Sequence, residues 1–185
     1  MKYRSTIVYL VIALLLGGIY LWDVRSEKAE EAREEEATVL FPGLKSEQLQ
    51  RIEISGGGET VVLRRIAEDA SEASWTITAP VETAADDFSV NRITTLLPYL
   101  KHVRIIEEDP EDPASFGLDD PALTVMWKTE GEEGALSVGG ESPIQKDFYA
   151  RTGKGGPVFL LPAGNRSVLD KSLYDLRDKR LFTLA

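Results

Sequence analysis

The sequence predicts an α+β fold: an antiparallel sheet of about seven short strands covered by two helices, preceded by one N-terminal transmembrane helix. Three observations carry this. Short alternating or apolar runs lie close together between glycine turns, which suits hairpins and leaves no room for parallel crossovers of a dozen or more residues. Two longer stretches change to helical spacing. The uncharged run from Ser5 to Trp22 is apolar enough to enter a bilayer.

At 1.5 Å per residue that run spans about 27 Å as a helix, close to the ~30 Å hydrocarbon core of a bilayer. Its aliphatic side chains include Ile7, Leu10, Leu14, Leu16 and Ile19, and Trp22 closes it as an interfacial aromatic. Together the aliphatic residues favour insertion by about 3 to 6 kcal/mol. Lys2 and Arg4 precede the run and Asp23 follows it, so the positive-inside rule puts the N-terminus in the cytoplasm and the remainder outside. The rival reading is a cleaved signal peptide, which needs a shorter apolar core and small residues before the cut. Ile19-Tyr20-Leu21-Trp22 supplies none. Residues 1–22 therefore read as a cytoplasmic foot and signal anchor that contacts the lipid bilayer, and either reading exports the rest.

Residues 23–40 are rich in Glu, Ala, Lys and Arg, a composition that favours helix but builds no apolar stripe. They read as a solvated acidic helical linker, with a docking surface for a basic partner as the alternative. Residues 41–185 form the extracytoplasmic domain. Gln50 to Ser55 alternates Ile52 and Ile54 with charged residues, and Gly56-Gly57-Gly58 turns it into a second strand from Thr60 to Ile66. Ser74 to Thr78 is a third strand ended by Pro80. Asp86 or Asp87 caps a helix starting near Phe88, with Ile93, Leu96, Leu97 and Leu100 at i, i+3, i+4 and i+7, and Pro98 ends or kinks it around Leu97.

His102 to Ile106 resumes strand character, and Glu107 to Pro113 is an acidic loop. Ala122 to Lys128, Ala135 to Val138, Phe148 to Arg151 and Val158 to Leu161 read as a meander. A second helix is expected from about Arg166 to Arg180, capped by Asn165, with Leu169, Leu173 and Leu176 inward. Leu181 to Ala185 looks like the start of another strand.

The charge balance bears on function. With 31 acids against 21 bases the net charge is -10, which repels a phosphate backbone and argues against nucleic acid. Cysteine is absent, so disulfides, thiolate nucleophiles and cysteine metal sites are excluded. His102 is the single histidine and has no sequence partner that marks it as a base. The acids from Glu107 to Asp112 lack the alternate-position ligands and glycine of a calcium loop. No nucleophile elbow, phosphate loop or dinucleotide fingerprint occurs, and Asp86-Asp87 and Asp119-Asp120 adjoin helix starts or proline turns, where capping accounts for them. The expectation is no enzyme, no catalytic residue, no metal and no cofactor.

A set of short motifs resembles a family. Trp75-Thr76-Ile77 followed by Pro80, Ala85-Asp86 leading into the helix, Phe116-Gly117-Leu118-Asp119 with Pro121, Leu136-Ser137-Val138-Gly139, Phe148-Tyr149-Ala150-Arg151 and Asp175-Leu176-Arg177-Asp178-Lys179-Arg180 keep the order and spacing of the bacterial domain-of-unknown-function 4340 family. The resemblance implies an anchored protein of the bacterial inner (cytoplasmic) membrane, single-pass, whose extracytoplasmic α+β domain is an accessory of gliding-motility-type ABC transport systems. It implies no catalytic residue.

Physical readings stand beside it. Gly117 supplies a positive φ, so that Phe116 and Leu118 pack down on the sheet. Tyr149 and Arg151 share one strand face and Phe148 and Ala150 the other. Arg177 and Arg180 favour the negative pole of the helix, or Arg177 pairs with an acid. Trp75, Phe116, Gly117, Tyr149, Arg151, Arg177, Asp178 and Arg180 are the candidate interaction or motif residues.

The expected function is a protein-binding accessory subunit of an ABC-type envelope transport complex. An envelope glycan or lipid binder is the alternative, to be recognised by Trp75, Trp127 or Phe148 exposed in an aromatic cleft. A hydrolase comes third and needs His102 within reach of a carboxylate and a hydroxyl.

Overall fold

The computed structural model describes residues 38–67, 73–143 and 146–180. The expected transmembrane helix, nearly all of the acidic linker and the strand-like Leu181–Ala185 lie outside them. Among the described residues no helix is long and apolar enough to cross a membrane.

The α+β class holds, with nine strands among the described residues rather than about seven. β1 (Arg51–Gly56), β2 (Glu59–Ala67), β3 (Ala73–Ala79) and β4 (Thr83–Ala84) form one meander; β6 (Leu123–Lys128), β7 (Glu133–Glu141), β8 (Phe148–Thr152) and β9 (Val158–Leu161) form another. With β5 (Ile105–Glu107) between the meanders in sequence, all pairs are antiparallel and the sheet order is β4-β3-β2-β1-β6-β7-β8-β9-β5. The seam between the meanders is β1 against β6, with Ile52 opposite Trp127 and Ile54 opposite Val125. β4 was not expected because two residues are too few to display a period. β5 (Ile105–Glu107) starts later than the expected His102. Val103 and Arg104 still exchange backbone hydrogen bonds with Leu160, but the register shifts before Glu107.

The two halves repeat one plan. In each, a four-strand meander is followed by helix and then by a tail that crosses to the far edge of the other meander. The first tail is β5, paired with β9; the second is the segment at Arg177, which bridges Ala85 next to β4.

Period-2 burial is plain in β1 and β6. Ile52 and Ile54, and Leu123, Val125 and Trp127, face the core, while Arg51, Glu53, Met126 and Lys128 face out. The helices cover the core face. α1 (Asp87–Leu96) begins as the sequence predicts: Asp86 is its N-cap and accepts from the Ser89 N–H at 2.8 Å. Val90, Ile93, Leu97 and Leu100 are buried against the sheet. Pro98 ends the α-helix at Leu96 and the chain tightens into a 3-10 turn, Leu97–Tyr99.

The second helix departs from expectation. It is two short helices, α2 (Ala163–Leu169) and α3 (Leu173–Leu176). Asn165 lies inside α2, whose N-cap is Pro162. The interruption comes from Ser172, which is extended and starts a new helix through a capping box with Asp175. Leu169 and Leu176 are buried and Leu173 packs against the same core, so the inward face survives the break.

Candidate functional site

The motif residues converge on two clasps. In the first, a 3-10 turn (Pro113–Phe116) capped by Asp112 delivers the chain to Gly117, whose φ of +70 turns it over β7. Leu118 is buried there. Phe116 meets Tyr149 edge-on with ring centroids 5.0 Å apart, and the Arg151 guanidinium donates to the Leu118 carbonyl at 3.1 Å. Gly139 completes the contact, because a Cβ there would overlap the Phe116 carbonyl oxygen. Tyr149 and Arg151 thus share a face as expected. Phe148 lies on the other, against the core, with the Arg166 guanidinium 4.0 Å above its ring. The Arg151 Nε is buried without a hydrogen-bond partner among the described residues. This is a backbone fastening, with the guanidinium held by a carbonyl.

The second clasp joins the Ala85-Asp86 and Asp175-to-Arg180 motifs. Asp86 N–H donates to the Leu176 carbonyl at 2.7 Å, and Asp178 N–H to that of Ala84 at 2.9 Å. Ala85 N–H also donates to the Trp75 carbonyl at 3.1 Å. Arg177 and Arg180 lie beyond the end of α3, so neither serves a long helix's negative pole. Arg177 lies 5.2 Å over the Tyr174 ring and has no ion pair among the described residues, and Arg180 pairs with Asp178 at 2.8 Å.

Ser172 donates to Asp175 from both hydroxyl (2.7 Å) and backbone (3.1 Å), which holds the Asp175 carboxyl below the usual range. A depressed folded pKa stabilises above the unfolded value, and the contribution is lost as pH falls through the lowered one. Asp175→Asn is therefore expected to flatten the acid limb of stability between about pH 5 and pH 2, read as urea midpoints across pH. Parallel curves for variant and parent would reject the assignment.

The candidates for chemistry do not assemble. His102 rests against Phe159, ring centroids 5.7 Å apart, and its Nδ1 is buried without a partner among the described residues. No group of three metal-ligating side chains occurs among those residues. Trp75 (8% exposed) and Trp127 (6%) are core residues, with Trp127 edge-on to Phe41 at 5.3 Å. On the uncovered sheet face a trough of about 430 Å³ runs past Arg51, Glu53, Met126 and Lys128. Its charges are satisfied within the fold, Arg51 by Glu53 at 2.8 Å and Lys128 by Glu133 at 3.7 Å.

A different surface stands out. On the solvent side of α1 a groove of about 530 Å³ is lined by Phe88, Arg92, Thr95, Leu96, Tyr99 and, from α2, Val168. Phe88 and Tyr99 are each 73% exposed. Large exposed aromatics beside an arginine are the residue types that dominate protein interfaces. The sequence reading missed this surface. Its signal was present: Phe88, Arg92, Thr95 and Tyr99 fall at i, i+4, i+7 and i+11, a second stripe opposite the core stripe.

The architecture defines an antiparallel α+β domain whose motif residues fasten the backbone and whose exposed aromatic groove lies apart from them. The chain belongs to the family described as Domain of unknown function (DUF4340), whose model matches residues 75–185, more than half of the chain and all of both clasps and the groove. No curated protein and no solved structure matches the chain.

Proposed function

We propose that the chain is a single-pass envelope protein whose extracytoplasmic domain binds another protein through the α1 groove, as an accessory subunit of an ABC-type transport complex in the bacterial inner membrane. The observation that carries the binding role is the exposure of Phe88 and Tyr99 at the two ends of one groove. A folded domain gains nothing by leaving two such rings in water, whereas an interface core is built from them. The apolar run from Ser5 to Trp22 supports the membrane tether, and the family resemblance supports the transport complex.

The test is a photoreactive phenylalanine analogue at position 88 of the full chain in native membranes. The expected result is an adduct with a subunit that copurifies after mild solubilisation and that carries or contacts an ABC-type ATPase. A chain that purifies as a lone monomer, with no protein adduct from the groove, would sink the proposal.

A further inference from the structure

The groove has a shape, a spacing and a charge that specify more than adhesion. α1 and the 3-10 turn that continues it carry two stripes: Val90, Ile93, Leu97 and Leu100 against the sheet, and Phe88, Arg92, Thr95 and Tyr99 toward solvent. The outward stripe has the alternating four-three-four spacing by which one helix packs along another. It runs about 18 Å, or three turns, over α1 and the 3-10 turn. Val168 of α2 joins the lining, so the surface is a shallow groove to which two helices contribute.

Its charge is unusual for this molecule. The chain carries -10, yet Phe88 to Ile106 holds no Asp or Glu and includes Arg92, Lys101 and Arg104; the stretch that supplies Val168, Phe148 to Leu169, is also free of acids. Of the acids that flank these stretches, Asp170 is paired with Arg166 at 3.6 Å. Arg180, held charged chiefly by Asp178, also feels Asp87 and Asp86. Arg92 itself lies in the groove without an ion pair or hydrogen bond among the described residues.

We infer that the groove receives an amphipathic α-helix of the partner, with apolar side chains seated along the furrow between Phe88 and Tyr99 and an Asp or Glu placed to meet Arg92. This rests on the protein-binding reading above and adds the partner's secondary structure and charge. An acidic helix would be repelled by most of this domain's surface, so the furrow would also set its register. A bilayer fits less well, because a membrane contact needs no such spacing along the helix and no lone arginine set between the aromatic rings.

The test uses the full anchored chain with the photoreactive analogue at positions 88 and 99 in turn, and peptide mapping of the adducts. The expected result is that both positions label one partner helix at sites about three turns apart with an acid between them. Arg92→Glu should lower the adduct yield at least tenfold while leaving the unfolding midpoint unchanged, since Arg92 has no partner to lose. Exchanging the mapped acid for Arg in the partner should restore the yield with Arg92→Glu. Adducts on a loop, a strand or a basic segment would overturn this inference and leave the binding role standing. Adducts with lipid alone, or none, would overturn both.

Discussion

Gly139→Ala is expected to destabilise the domain by about 3 kcal/mol or more, a large share of the 5 to 15 kcal/mol typical of a folded domain. The added methyl would overlap the Phe116 carbonyl oxygen and lie 2.8 Å from that of Gly117. Both are backbone atoms and cannot swing aside as a side-chain tip can. Gly117 holds φ +70 in a turn that lies directly over Gly139 and Gly140. The turn must lift off β7, taking with it the burial of Leu118, the Phe116–Tyr149 contact and the Arg151 hydrogen bond. Gly131→Ala is the control: a Cβ there meets nothing within 4 Å and its φ is not positive, so its effect should stay within about 0.5 kcal/mol. Urea unfolding of the purified chain reads both. Equal midpoints for the two variants would show that the clasp at Gly139 is loose.

Leu97→Ala should cost about 2 to 5 kcal/mol, whereas Phe88→Ala on the same helical segment should change stability by less than about 0.5 kcal/mol. Leu97 is fully buried where α1 tightens into its 3-10 turn, and truncating it leaves a cavity between helix and sheet. Phe88 is exposed and touches little that folding needs. The pair separates the two faces of one helix: the inward substitution lowers the thermal midpoint, and the outward one removes a binding ring without loosening the fold. A matching loss of stability at Phe88 would mean that its ring is packed, and would remove the ground for calling the groove an interface.

Much of the fold could be read from residues alone where local chemistry decides. Alternation located β1, β2, β3 and the second meander, Asp86 marked the start of α1, and Pro98 marked its end. The split between α2 and α3 was hidden because Leu169, Leu173 and Leu176 keep helical spacing straight through the break. The opposing signal, Ser172 followed three residues on by Asp175, is a capping box written into the middle of an apparent helix. The first clasp needs the turn before β6 to fold over β7 and β8, and the second needs a crossed tail beside Ala85, arrangements that no window of sequence contains. The groove was legible in principle. Its stripe was masked by the stronger apolar stripe Ile93, Leu96, Leu97 and Leu100, and Leu96 sits where the two meet, part core and part furrow wall.

The crossed tails have a consequence for how such a chain is handled by the cell. Each half lends its tail to the other, the first as β5 and the second as a single bridge at Arg177, so the fold closes only when the chain through Arg177 is available. Until then the β4 side keeps a free row of backbone donors and acceptors, the kind of edge that recruits a strand from another molecule. Two copies held side by side could trade tails, Arg177 of one lying against Ala85 of the other, and become entangled without a single non-native contact. Dilution of neighbouring copies during synthesis, or early capture by a partner, would protect the lone chain from its own symmetry.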